Sequence, residues 1–274
     1  MKLISIILIS LLGFTTLICN KKKVYLDDVY PSCDTSWQTS EVLFDEDDKL
    51  IFRLRFVYFA DSINEPQPDY DSITKYINEF YQDALLQFDL EKVELVVDSD
   101  IKSDMPSHVK YNNKFRNDSV ITCYIYGNAQ ENFPSGYKNT VGSSGGIGSN
   151  FFSVRSGFVN SITTVHELGH CLSLLHVDHP DDSGLPYSTF GGDKICDTRS
   201  IKNLHEKVSN TCIFQGLDSL TEEEKKVLVC NFMSWAFQKC RGCITDVQIR
   251  KMRFYIHESP FIQQSCKKGI KHEF

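Results

Sequence analysis

An α+β fold is predicted for this chain of 274 residues by three features. Its first half carries apolar, β-branched runs around one amphipathic helix, in the order β-α-β-β. The stretch Asn160–Ser173 has the composition of a buried helix. Two capping boxes, Thr221 with Glu224 and Thr245 with Gln248, open helices in the last quarter. Apolar residues at 41% and charged residues at 24% belong to a globular protein and exclude a disordered or fibrous one. With 29 Lys and Arg against 36 Asp and Glu, the net charge of −7 argues against a nucleic-acid partner, since phosphate neutralisation needs a basic surface.

At the N-terminus Lys2 precedes an apolar run, Leu3 to Ile18, interrupted only by Ser5, Ser10, Gly13, Thr15 and Thr16. That run is short for a membrane span and suits a signal peptide over 1–18. It ends at Cys19, followed by Asn20 and Lys21 to Lys23, with no small-x-small cleavage site. An apolar run ending at a cysteine resembles a bacterial lipoprotein signal, in which Cys19 carries lipid and becomes the first mature residue. The other reading is an uncleaved anchor, with the lysines keeping the rest of the chain inside the cell. The expectation is export: a cell-surface or outer-membrane lipoprotein anchored to the membrane through lipid, or a secreted protein. Ten cysteines agree, being too few for a disulfide-only scaffold and many for a cytosolic enzyme of this size.

Residues 19–48 are polar and aperiodic and read as a tether, leaving 49–262 as the folded domain and 263–274 as a C-terminal tail. Ile51 to Phe59 reads as a strand and Glu65 to Asp69 as a loop. Ile73, Tyr76, Ile77, Phe80, Tyr81, Ala84, Leu85 and Phe88 mark one face of a helix capped by Asp71 or Ser72. Val93 to Val97 and Val120 to Tyr126 read as further strands. The Gly-, Ser- and Asn-rich stretch 132–150 lacks the lysine and helix start of a phosphate loop and reads as a surface loop. Phe151 to Val159 reads as a short edge strand.

The chemistry lies in His166-Glu167-Leu168-Gly169-His170. Histidines four apart share a helix face, so both imidazoles can reach one Zn²⁺. Glu167, beside the first of them, is placed to take the proton of an activated water. A third ligand is needed, and His176 lies ten residues beyond His166. On an unbroken helix that is about 15 Å along the axis, so the helix must stop after His170 and turn back. A glycine usually makes such a turn in the left-handed conformation; here the position is Ser173. His179 is the fallback ligand.

The segment His166 to His176 resembles the long zinc motif of metzincin metallopeptidases, and within them the chain is similar to the pappalysin (cytophagalysin) family. Cys196-Asp197-Thr198 resembles the family's Asp-Thr-Pro segment, with Arg199 in place of Pro. Asn231-Phe232-Met233-Ser234-Trp235 is similar to its Asn-x-Met-Asp-Tyr turn, with Met233 as the Met-turn methionine. Cys240 stands where the family often has a cysteine, and Ile244-Thr245-x-x-Gln248 with Met252 matches the opening of its last helix.

The resemblance implies a metzincin-like catalytic domain: a twisted mixed sheet, an active-site helix, a Met-turn and a C-terminal helix. It implies a zinc-dependent endopeptidase holding one Zn²⁺ per chain on His166, His170 and His176, with Glu167 as general base. It implies that an extended peptide pairs with the edge strand, Phe151 to Val159, and that Met233 floors the site. Trp235, in place of Tyr, lines the cleft and can donate its N–H but cannot bind a metal. Calcium is also implied near the Asp-Thr segment, with Asp193 and Asp197 as its carboxylates. For the irregular region below the metal the expected bridges are Cys212–Cys240 and Cys196–Cys230, with Cys171 a buried thiol. Two other readings stand beside this one. The first is a catalytically impaired surface-exposed binding protein on the same fold, marked by Ser173 and Trp235. The second is another zinc peptidase class, with a carboxylate of the Thr221 helix such as Glu223 as third ligand.

Overall fold

The structure, a computed structural model, describes residues 49–97, 117–127, 140–177, 193, 195, 197–201, 203–216 and 220–268. The signal peptide, the tether, Cys19, His179 and Cys196 lie outside the described residues.

The sheet is built on β1 (Leu50–Ala60), whose residues from Leu54 onward are all buried, as its nearly unbroken apolar sequence requires of a central strand. α1 (Tyr70–Tyr81) crosses over to β2 (Leu86–Val97), which pairs with β1 in parallel; one bulge at Leu54/Arg55 shifts the register. The helix buries Ile73, Thr74, Ile77 and Tyr81. Its cap is Asp69, not Asp71 or Ser72: the Asp69 carboxylate accepts from both the backbone N–H and the hydroxyl of Ser72.

β3 (Ile121–Tyr126) lies parallel on the other side of β1, and β5 (Phe151–Arg155) lies parallel to β3. β5 is therefore an interior strand, and the expectation of an edge at Phe151 to Val159 is corrected. The edge is β4 (Gly142–Ser144), antiparallel to β5, inside the stretch expected to be a loop. The two form a hairpin whose turn needs its glycines. Gly146 and Gly148 have φ of 122° and 73°, and a Cβ on Gly145 would come within 2.2 Å of the Phe151 ring. The sheet order is β2-β1-β3-β5-β4.

The metal-motif helix, α2 (Ile162–Cys171), packs on β4 and β5 and is buried along its whole length. Ser161 caps it, and the Tyr81 hydroxyl donates to the Val165 carbonyl at 2.7 Å, tying it to α1. Beyond it lie a short helix, α3 (Leu204–Lys207), then α4 (Glu222–Cys230) and α5 (Asp246–Glu258), both opened by the expected capping boxes. α6 (Pro260–Ser265) and β6 (Cys266–Lys268) follow. β6 pairs with Ile51 and Phe52 of β1, where β3 does not reach, so residues 263–268 belong to the fold rather than to a tail. Among the described residues no helix is long and apolar enough to cross a membrane.

Disulfides join Cys212 to Cys240 and Cys230 to Cys243. The second replaces the expected Cys196–Cys230 bridge. The backbone N–H groups of Gly242 and Cys243 both donate to the Cys230 carbonyl, at 2.7 and 2.9 Å, which brings these two cysteines together at the end of α4. Cys171 is a buried thiol, and burial pushes its pKa up to about 12.

Candidate metal centre

The turn after α2 makes the site. The Leu174 N–H donates to the Gly169 carbonyl and the Ser173 N–H to the His170 carbonyl, at 2.9 and 3.0 Å. This is a Schellman end, with Ser173 in the left-handed position at φ 72°. The helix thus stops where the sequence requires, with serine bearing the strain that glycine would avoid. The same turn aims the Leu174 carbonyl at His170 Nδ1, 2.7 Å away. Gly148 N–H donates to the His170 carbonyl at 3.0 Å, so the glycine hairpin braces the turn from the sheet side.

His176 comes back over the helix as predicted. Its Nε2 lies 3.0 Å from Nε2 of His166 and 3.0 Å from Nε2 of His170. Among the described residues this trio is the one group of three ligand side chains able to share an ion; Glu223 is exposed and takes no part. His166 Nδ1 is 2.7 Å from the Phe232 carbonyl. A carbonyl can only accept, so Nδ1 carries the proton on His166 and, by the same contact, on His170. Their Nε2 atoms then present lone pairs. Burial pushes the pKa of His166 well below its ordinary value, with His170, His176 and Arg241 adding to the effect, which favours the neutral ligand form. Converging lone pairs repel unless a cation lies between them. Two Zn–N bonds of about 2.0–2.1 Å at a tetrahedral angle hold their nitrogens about 3.3 Å apart, close to the observed spacing. The donor set fits zinc.

Glu167 is buried at the same cleft, 7% exposed. Burial pushes its pKa up to about 8, against the opposing pull of Arg241 and of the Ser144 backbone N–H. The edge strand presses on this carboxylate: a Cβ on Gly142 would sit 2.7 Å from Oε1. The cleft holds about 850 Å³, with Gly142 to Ser144, Glu167, His205, Trp235 and Arg241 among its walls.

Met233 lies fully buried beneath α2, and a Cβ on Gly169 would approach its sulfur to 2.7 Å. Its turn is fixed by a buried network. Asn231 Oδ1 accepts from the Met233 N–H at 2.9 Å, and the Asn231 and Gln248 amides bond to each other at 2.9 and 3.2 Å. Val177 N–H donates to the Met233 carbonyl at 3.2 Å, linking the turn to the segment that carries His176. Trp235 is 53% exposed, with its ring edge-on to His176 at 5.3 Å between centroids.

The carboxylates thought to suit calcium are used within the chain. Asp193 accepts from the Ile195 N–H and the Thr198 hydroxyl, and Asp197 from the Thr245 hydroxyl. Calcium is not supported there. Sequence reasoning missed Gly142, Ser144, His205 and Arg241. Only Gly142 carried a signal, as a glycine in a stretch that had to fold against something.

No curated protein matches the chain. The peptidase family model described as pregnancy-associated plasma protein-A matches residues 95–257, more than half of the chain, and spans the histidine trio, Glu167 and the Met233 turn. The chain belongs to this metzincin-type family, the pappalysins.

Proposed function

We propose that the protein is a zinc-dependent endopeptidase that cleaves extended peptides, with His166, His170 and His176 holding the metal and Glu167 as general base. The observation that carries this reading is the convergence of three imidazole nitrogens beside a buried carboxylate in an open cleft. Zinc held there supplies Lewis acidity, acidifying water and polarising a carbonyl. Glu167 takes the proton of the attacking water and returns it to the leaving amine. β4, the outermost strand of the described sheet on that side, offers its edge to a peptide backbone, and the Phe232 carbonyl, next to Met233, holds His166 in place. Trp235, at the mouth, lends its N–H to the developing oxyanion.

The domain is preceded by a signal peptide over 1–18 and a tether over 19–48, and the protein is exported, with Cys19 lipidated. The two disulfides support an oxidising compartment. The test is Glu167→Ala. It should keep one zinc per chain, measured by elemental analysis, and lose at least about a hundredfold in peptide hydrolysis. Full activity with zinc in place would refute the mechanism.

A further inference from the structure

The peptidase reading leaves one charged wall of the cleft without a role. Arg241 lines the same cleft as Glu167 and the histidines, and its Nη1 donates to the Ser234 carbonyl at 3.2 Å and lies 3.4 Å from His166 Nδ1. Its backbone is stapled on both sides. Cys240, immediately before it, is bridged to Cys212, and Cys243, two residues after it, to Cys230. Gly242 and Cys243 are further held to the Cys230 carbonyl. Such a guanidinium is ordered before any ligand arrives, so little freedom is lost on binding.

The wall is positive although the whole chain carries −7. Among the described residues that line the cleft, Glu167 has the one carboxylate, and its place beside the metal ligands commits it to water. A lysine or arginine of a substrate would meet like charge here, whereas a carboxylate would meet a guanidinium already held in place by the Ser234 carbonyl.

We propose that Arg241 binds a carboxylate of the substrate beside the scissile bond, so that the cleft selects acidic peptides; this rests on the peptidase reading for the site's use. The carboxylate is an Asp or Glu side chain if the cleft works as an endopeptidase; a C-terminal α-carboxylate bound there would instead make the enzyme a carboxypeptidase.

Zinc-loaded Glu167→Gln protein, which should bind without cleaving, is titrated with peptide pairs. In one set, end-blocked peptides differ by Glu against Gln, or Asp against Asn, at one position. In the other, peptides without acidic side chains end in a free acid or an amide. The acid member of at least one pair should bind about tenfold more tightly, as expected for a charge-assisted contact. The set in which the preference appears identifies the carboxylate's source. Adding Arg241→Gln should bring that ratio near one, and Arg241→Lys should keep part of it. Equal affinities within every pair, which needs no Arg241 variant to observe, would overturn the proposal. So would a preference undiminished in Arg241→Gln, which would belong to the metal. Hydrolysis by the unaltered protein is scored separately: an acid preference lost with Arg241, in a protein that cleaves nothing, would sustain this inference and refute the peptidase.

Discussion

Each candidate ligand histidine on α2 is set by one carbonyl, Phe232 for His166 and Leu174 for His170, both at 2.7 Å. His176 differs: it is half-buried, and its ring meets Trp235 edge-on. On the proposed function, that contact would make Trp235 a brace for the third ligand as well as an N–H donor. The two roles separate by substitution. Trp235→Phe keeps an aromatic edge, so zinc affinity should hold while kcat falls roughly tenfold through loss of the donor. Trp235→Ala removes the brace too and should weaken zinc by about twofold to tenfold, read by competition with a chelator, since an edge-to-face pair contributes about 0.5–1.5 kcal/mol. Equal zinc affinity in both variants would reduce the contact to coincidence. His166 and His170 were legible because helical period alone puts residues four apart on one face. Arg241 was not, because a cation between cysteines in an aperiodic stretch carries no such signal; only the bridges bring it to the cleft.

At the scale of the element, the end of α2 shows how far a spacing argument reaches. The ten-residue step from His166 to His176 demanded a turn, and Ser173 was the residue left to make it; it stands at φ 72°. The left-handed conformation costs a non-glycine residue about 1–2 kcal/mol, while glycine costs roughly 0.5–1 kcal/mol in unfolded-state entropy. Ser173→Gly should therefore stabilise the protein by about 0.5–1 kcal/mol, a rise of about 1–4 °C in Tm by calorimetry. A lower Tm would mean that the buried Ser173 hydroxyl contributes more than the strain removes. The strands show the opposite limit. β4 and β6 have three residues each, too few for an alternation to be read, and their sequences, Gly-Ser-Ser and Cys-Lys-Lys, have no strand composition. Both form because a neighbour supplies an edge: β5 through a glycine hairpin, and β1 where β3 stops. Tertiary pairing, invisible in the segment itself, decides them.

Across the whole domain the two halves are held by different forces. The sheet with α1 and α2 rests on apolar burial, with Phe52, Phe56, Phe59, Phe88, Tyr124 and Phe152 all fully enclosed. From residue 203 to 243 helices are short, and Ile213 and Phe237 are exposed at 60% and 46%. That half depends on the Asn231–Gln248 network and on two disulfides closing loops of 28 and 13 residues. In the chain-entropy account each such loop contributes about 3 kcal/mol. Reduction should therefore act unevenly. Under a thiol reductant, amide hydrogens of α4 and of residues 231–243 should lose exchange protection first, while β1 and β3 keep theirs. Because Phe232 and Ser234 hold His166 and Arg241, zinc affinity should fall with that loss, before the sheet unfolds. Zinc retained at full affinity in reduced protein would show that the buried Asn231–Gln248 network holds the Met233 turn without the bridges. Simultaneous loss of protection in both halves would show instead that the domain unfolds as one cooperative unit.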